Sequence, residues 1–238
     1  MIIITREALI LAGGLGSRLR TVVSDRPKPL ADVAGRPFIT FVLDQLLRFD
    51  FQRAVLCVGH LGELVPPILG EKYGALDLLY SFEQTALGTA GALRNAAGLV
   101  RERNVVAMNG DSFCDLDLRM LEQMHGTFDV PATMAVLHRS DRGRSGALSV
   151  DATGCVARFD SRPTEPTPGL INAGVYMLRR DVLDAIPSNR AVSLEEETFP
   201  DLVARRELFA WQVEARFIDI GTPESHQTAQ SFFDGVTK

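Results

Sequence analysis

Lysine is nearly missing from this chain. Lys28, Lys72 and Lys238 are the whole complement among 238 residues, and the remaining positive charge is arginine. Basic residues number 25 against 30 acidic ones, a net charge of −5. That balance excludes a surface that is basic throughout, and with it a nucleic-acid partner bound in that way. A small anionic substrate stays open, because a local cluster of cations reverses the field within one cleft. Cysteine is also scarce: Cys57, Cys114 and Cys155 are odd in number, far apart and form no CxxC pair. Neither a disulfide framework nor a structural zinc site is expected, and Cys57, inside the apolar run AVLCV, reads as a small buried hydrophobe. Long hydrophobic runs are absent. Stretches such as Ala8–Ala12 and Ala54–Val58 fall far short of the roughly 18 apolar residues of a membrane-spanning helix. The opening MIIITRE meets Arg6 and Glu7 after three isoleucines, too soon for the apolar core of a signal peptide. The expectation is a cytoplasmic protein with no membrane partner. With 46% hydrophobic and 23% charged residues, the composition excludes disorder, collagen and coiled coil, and the length suffices to bury a core unaided.

What is present has a clear rhythm. EALILA (7–12), RAVLCVG (53–59), Leu76–Phe82 and NVVAMNG (104–110) read as short buried strands. Between them, 37–49 carries apolar residues on a helical face with Pro37 at the first helical position, and 89–100 reads as a helix. Asp117 caps a helix to about His125. This alternation predicts an α/β fold, a Rossmann-like, mostly parallel mixed sheet with helices on both faces. The second half predicts short strands at 131–138, 146–150 and 155–159, a proline-rich exposed loop at 162–169 and a long strand at 169–178. Ser193 with Glu196 reads as a capping box opening a helix to about Arg206. A strand ending at 218–221 follows, and Thr222 with Pro223 opens a last helix. No repeat or linker interrupts the chain, so 1–238 reads as one domain, its β-rich middle lying over the sheet's carboxyl edge.

The segment LAGGLGSRL (11–19), followed by DRPKPL (25–30), carries the strongest chemical signal. A strand runs into Gly13, Gly14 and Gly16, then Ser17 and Arg18, then a lysine framed by Pro27 and Pro29. Glycines admit a ligand close to the backbone, successive N–H groups in such a turn form an anion nest, and Arg18 and Lys28 add full charges. Two familiar phosphate loops fail on spacing. No Gly-Lys-Ser/Thr follows, and Leu19 stands where a dinucleotide fingerprint needs its third glycine. The plain alternative is a tight turn after a strand, which leaves the two cations unexplained.

LAGGLGSRLR…RPKPL resembles the signature of the sugar-1-phosphate nucleotidylyltransferases, which join a nucleoside triphosphate to a sugar 1-phosphate and release pyrophosphate. The likeness continues through GRPF (35–38), LGTAGAL (87–93), NGDSF (109–113), INAGVY (171–176) and IDIGTPE (218–224). NGDSFCDLDL, SFEQTALGTAG and FIDIGTPES most resemble the D-glycero-D-manno-heptose 1-phosphate guanylyltransferases within that family. The resemblance implies the nucleotide-diphospho-sugar transferase type of fold, GTP and a sugar 1-phosphate as partners, and Mg²⁺ as cofactor. It also implies a supply of activated sugar for cell-surface polysaccharide such as capsule or lipopolysaccharide, and, from habit in such enzymes, a homodimer. It places Arg18 on the leaving β and γ phosphates, Lys28 over the α-phosphate or sugar phosphate, and Asp111 and Asp219 on the metal. Leu11, Ala12, Gly13, Gly14, Gly16, Ser17, Glu83, Gly88, Thr89 and Asn109 fall to the nucleotide. Gly146, Arg162, Asn172, Gly174 and Glu195 fall to the sugar phosphate.

The residues allow a physical reading beside the resemblance. Asp111 and Asp219 each stand at a strand end, where ligands of open α/β sheets bind, and two carboxylates there make a hard oxygen site for Mg²⁺. A lone aspartate is ordinarily a cap or turn residue. The nucleophile, a sugar phosphate oxygen, is already ionised, so no general base is needed. His60, His125, His138 and His226 accordingly read as surface or polar-core residues. Glu83 could accept from both donors of guanine's Watson–Crick edge, where thymidylyl members carry Gln; its plain alternative is a solvated loop glutamate. Asn172 could cap a strand edge, and Glu195 could serve only a helix N-terminus. Departures from the family, Asp160-Ser161-Arg162-Pro163 where many members have Glu-Lys-Pro and Ser145 where an aromatic precedes Gly146, touch the sugar's identity rather than the reaction. Mannose 1-phosphate with GTP, and glucose or N-acetylmuramic acid 1-phosphate with dTTP or UTP, stay open as substrates. A non-catalytic sugar-nucleotide sensor is the alternative from another class, and a nicotinamide dehydrogenase fails on its glycine fingerprint.

Overall fold

The computed structural model describes residues 6–14, 16, 18–19, 23–140, 147–160 and 168–234. Its first half runs β1 (Glu7–Leu11), β2 (Asp32–Val33), β3 (Arg36–Pro37), α1 (Ile39–Arg48), β4 (Arg53–Val58), α2 (Val65–Leu69), β5 (Lys72–Tyr73), β6 (Leu76–Phe82), α3 (Gly88–Ala96) and β7 (Asn104–Asn109). Then follow β8 (Ser112–Cys114), α4 (Leu118–Phe128), β9 (Ala132–Arg139), β10 (Ala147–Val150), β11 (Val156–Asp160), β12 (Gly169–Arg179) and α5 (Arg180–Ala185). A π-helical turn (Leu194–Thr198), α6 (Phe199–Ala204), β13 (Leu208–Gln212), β14 (Phe217–Asp219) and α7 (Pro223–Phe232) complete the chain.

Ten strands form one mixed sheet in the order β11-β10-β12-β7-β1-β4-β6-β5, with β9 paired to β12 and β13. The parallel centre is β7, β1, β4 and β6. Alternation along β1 explains why both sheet faces are covered: Ala8 and Ile10 join one core with Phe38, Val42 and Leu56, while Leu9 joins the other with Val55, Cys57, Leu93 and Tyr176. The α/β reading of the sequence therefore stands. The β-rich middle joins the same sheet as β9 to β12 and reaches past its carboxyl edge. Met108 pairs with Val175 near the start of the β7–β12 ladder, so the residues of β12 before that point project beyond the carboxyl ends of the parallel strands.

Local differences have local causes. Pro37 sits in β3, where Val33 pairs with Arg36 and Asp32 with Pro37, and the helix begins two residues later. Ser193 Oγ does accept from Glu196 N, but Ser193 N donates its return bond to Glu197 Oε1 rather than to Glu196, and the first turn is π rather than α. Asp117 caps α4 through Arg119 N and Met120 N, and Thr222 with Ser225 closes a capping box on α7. The loop expected at 162–169 lies almost wholly outside the described residues. Among the described residues no helix is long and apolar enough to cross a membrane.

Candidate functional site

The turns after β1, β4, β6 and β7 open on one edge of the sheet and wall a cavity of about 610 Å³. Backbone contact at this edge is close. Ala12 N donates to Cys57 O at 2.9 Å, and Gly110 N donates to Leu11 O at 2.8 Å. A Cβ on Gly13 would stand 2.9 Å from Gly59 N and 2.6 Å from Glu83 Oε1, so only glycine lets these turns meet. Gly14 has no described heavy atom near its open side and faces the cavity.

Four charged residues converge beside this opening. Lys28, held between Pro27 and Pro29 in a single 3₁₀ turn, places Nζ 2.5 Å from Asp111 Oδ2, with its side chain only 11% exposed. Asp219 arrives from β14, which pairs antiparallel with β8 so that Asp219 lies opposite Ser112, and Ile220 N donates to Asp111 O at 3.0 Å. Asp219 Oδ1 accepts from Gly221 N at 2.6 Å and Ser225 Oγ at 3.2 Å. A Cβ on Gly221 would be 3.7 Å from both Arg18 Nη2 and Lys28 Nζ. Arg18, Lys28, Asp111 and Asp219 thus meet although they lie far apart in sequence. Among the described residues no third His, Cys, Asp or Glu completes a metal cluster. Two carboxylates match what Mg²⁺ takes when phosphates supply its other ligands, and Asp219 Oδ1 is already oriented by two neutral donors. The residues present fit that ion.

Glu83 lies at the end of β6, three strands across from Asp111, a span of roughly 14 Å at ordinary strand spacing. Its backbone continues the sheet by donating to Val58 O, and its Oε2 accepts from Leu87 N at 2.9 Å. Burial raises its carboxyl pKa, opposed by the Leu87 N–H. It is half-buried in the cavity wall, not a solvated loop residue. Beyond it, Gly88 at φ +73° leaves room for Val192 O, which a Cβ would approach to 2.5 Å. Ala90 N and Gly91 N both donate to that carbonyl, so the start of α3 is satisfied by protein. Thr89 Oγ1 and Ser193 Oγ donate to Glu195 Oε2 at 2.9 and 3.1 Å, and Leu194 N donates to Thr89 Oγ1. Glu195 therefore does more than complement a helix end, and it lines the cavity with Thr89.

On the other flank, the β9–β12 register breaks between Asn172 and Tyr176. Asn172 Nδ2 donates to the buried Tyr176 hydroxyl at 2.7 Å, and Asn172 Oδ1 accepts from Gly174 N at 2.8 Å. One amide hydrogen and one lone pair of Asn172 remain for a ligand. Gly174, at φ +70°, lies against Asn109, whose Nδ2 a Cβ would approach to 2.7 Å. Gly16 takes φ +59° beside the stem of Lys28. Ser17, Gly146 and Arg162 lie outside the described residues. Cavity-lining residues not expected from the sequence are Gly59, His60, Gln84, Thr85, Ala86 and Ala92. The signal for the first pair was present: RAVLCVGH repeats the strand-then-glycine pattern of the other turns. Of the histidines, His60 is exposed at the cavity, whereas His125 is buried against Thr133 and His226 bonds Asp32 O.

The nucleotidyl transferase family model matches residues 7–234. The D-glycero-alpha-D-manno-heptose 1-phosphate guanylyltransferase of Aneurinibacillus thermoaerophilus is 32% identical over 224 residues, which cover 94% of this chain and 96% of that protein. The mannose-1-phosphate guanylyltransferase of Mycobacterium tuberculosis is 31% identical, covering 92% of this chain and 62% of that protein. Among solved structures, HddC from Yersinia pseudotuberculosis complexed with GMP-PN superposes with a TM-score of 0.82 at 27% identity, covering 97% of this chain and 100% of that one. A match of this extent means that the chain belongs to the nucleotidyl transferase family, within the sugar-1-phosphate nucleotidylyltransferases.

Proposed function

We propose that this protein transfers a guanylyl group from GTP to D-glycero-α-D-manno-heptose 1-phosphate, giving the GDP-sugar and pyrophosphate. The reaction class, formation of a nucleoside diphosphate sugar with release of pyrophosphate, is that of the superfamily. The choice of GTP rests on Glu83. A half-buried carboxylate in the cavity wall, already held by Leu87 N, presents acceptors to the N1–H and N2–H donors of guanine and repels the carbonyls of uracil or thymine. The choice of heptose rests on the 32% identity to the Aneurinibacillus enzyme over nearly all of both chains. The GMP-PN complex of the Yersinia protein supports the same nucleotide class.

With the base beside Glu83, an extended triphosphate runs past Gly13 and Gly14 toward Arg18, Lys28 and Asp111. The sugar phosphate oxygen attacks the α-phosphorus in line, forming the new P–O bond as the bond to the β-phosphate oxygen breaks and its electron pair leaves on pyrophosphate. Arg18 holds the departing phosphates, and Lys28 neutralises charge where it builds up. Asp111 and Asp219 would hold Mg²⁺, which when bound would offset the repulsion between the two phosphate substrates. Thr89 and Glu195 form the polar wall that orients the bound substrates, and positioning carries the rate because the nucleophile needs no base.

Pyrophosphate release with Mg²⁺ tests this across GTP, dTTP, UTP, CTP and ATP, each against heptose, mannose, glucose and N-acetylmuramic acid 1-phosphates. Turnover with GTP and the heptose phosphate is expected. Preference for another pair overturns the substrate assignment and keeps the reaction. Nucleotide binding without turnover for any pair would mark a sensor.

A further inference from the structure

We propose that Lys28 is the resident counter-ion of the carboxylate pair, so that a divalent cation enters this site only as its complex with the nucleoside triphosphate. This rests on the reading of Asp111 and Asp219 as metal ligands and adds an order of arrival to it.

The two carboxylates are differently occupied. Asp111 Oδ2 is in contact with an ammonium at 2.5 Å. Asp219 Oδ1 accepts from two neutral donors, and among the described residues Asp219 joins no salt bridge. Lys28 has little freedom to leave for solvent: its side chain is 11% exposed, Pro29 follows it at a buried position, and Gly16 packs on its stem, with a Cβ there only 3.3 Å from Lys28 Cβ. Gly221 keeps the space between Asp219, Arg18 and Lys28 clear of side chain.

Charge then decides what can bind. Arg18 and Lys28 balance Asp111 and Asp219, so the site is formally neutral. A free divalent cation would raise it to +2 and meet the ammonium at contact range. Repulsion between a divalent ion and an ammonium about 4 Å apart, even at the dielectric of water, weakens binding on the order of thirtyfold. A triphosphate removes this obstacle. It brings an excess of negative charge with the metal and offers Nζ phosphate oxygens in place of Asp111 Oδ2. Lys28 passes from carboxylate to phosphate as the metal takes the carboxylate. One side chain thereby serves first as a plug and then as a phosphate clamp.

Calorimetric titration of Mn²⁺ into the full chain without nucleotide tests this. Lys28→Met should bind Mn²⁺ on the order of thirtyfold more tightly than wild type, and Asp111→Asn added to it should abolish the gain. Lys28→Arg keeps the charge and serves as the folding control, expected to exclude Mn²⁺ as wild type does. Wild type binding Mn²⁺ as tightly as Lys28→Met overturns the plug while leaving the metal site intact. If the Mn²⁺–GTP complex binds Asp111→Asn as tightly as wild type, the reading of Asp111 as a ligand fails, and the plug fails with it.

Discussion

Glu83 is pulled in two directions. Burial favours its neutral form, and the Leu87 N–H favours the carboxylate. Burial wins, so its pKa stands above that of an ordinary glutamate. Because guanine recognition needs acceptors on both oxygens, the KM for GTP should rise on the acid side at a higher pH than a solvated carboxylate would produce. Glu83→Gln removes that acid limb and places an amide donor against a guanine donor. It should lower kcat/KM for GTP by roughly tenfold to a hundredfold, the worth of a charged hydrogen bond, and leave the KM for the sugar phosphate unchanged. Steady-state kinetics from pH 5 to 8 decide it; an acid limb that survives in the glutamine variant would mean that another group titrates. Glu83 was legible through the resemblance of SFEQTALGTAG, which sets it where thymidylyl members carry Gln; by itself a glutamate at a strand end reads as well as a solvated loop residue. Arg18 and Lys28 were legible as cations close behind a glycine-rich turn, Lys28 framed by Pro27 and Pro29, whereas Asp111 and Asp219 stood out through the family resemblance of the motifs that hold them. Gln84, Thr85 and Ala86 were not: their side chains carry no charge pattern, and only the path of the chain after β6 brings them to the cavity. The internal use of Asn172 was equally hidden, since its contact with Tyr176 exists only because the β9–β12 register breaks between them.

The clamp between α3 and the segment that leads into α6 shows how an element is held by a residue that has no side chain. Val192 O takes two helix N–H groups, Val192 N returns a bond to Leu87 O, and Gly88 alone permits the approach. Gly88→Ala puts a Cβ into a left-handed backbone conformation and 2.5 Å from that carbonyl. The expected cost is about 2–3 kcal/mol, read as a fall in the urea midpoint at unchanged slope. Because Thr89 and Glu195 sit on either side of the clamp, the KM for substrate should rise with it. An equally stable variant with unaltered KM would show that the segment moves aside. This clamp could not be read from the sequence, where Val192 is one valine among many. The central strands β1, β4 and β7 could: each carries a continuous apolar run, and burial on both faces leaves no alternative for such a run. Short elements escaped. β8, of three residues, was missed; β14 was expected as a strand ending at 218–221, but its pairing with β8, which brings Asp219 to Asp111, depends on a partner more than a hundred residues away. α5 escaped because its six residues directly continue a strand with no breaker between. Pro37 misled because a helix start and a strand edge both tolerate proline.

At the scale of the whole molecule, stability depends on both faces of one sheet staying covered, and one buried histidine links that packing to pH. His125 on α4 is 3% exposed, and its Nδ1 lies 3.0 Å from Thr133 Oγ1 on β9. Burial, helped by the positive charge of Arg179 and opposed by Asp129, pushes its pKa down to about 4 from 6.5. Between those values the unfolded chain binds a proton that the folded chain refuses. Stability therefore falls as pH drops from 6.5 toward 4, and below that range the group contributes no further change. The full difference corresponds to about 3 kcal/mol, a substantial share of the 5–15 kcal/mol typical of a folded domain. His125→Asn keeps an amide near the Nδ1 position for Thr133 and cannot be protonated. It should cost about 1 kcal/mol at pH 7.5 through lost packing, yet lose less stability on acidification, so that the two proteins converge and then cross as pH falls. Urea unfolding midpoints measured every half unit from pH 7.5 to 4 give both curves, and subtracting one from the other removes the carboxylates common to both. Parallel curves would mean that His125 accepts its proton in the folded state, with α4 lifting from β9 to let water reach the ring.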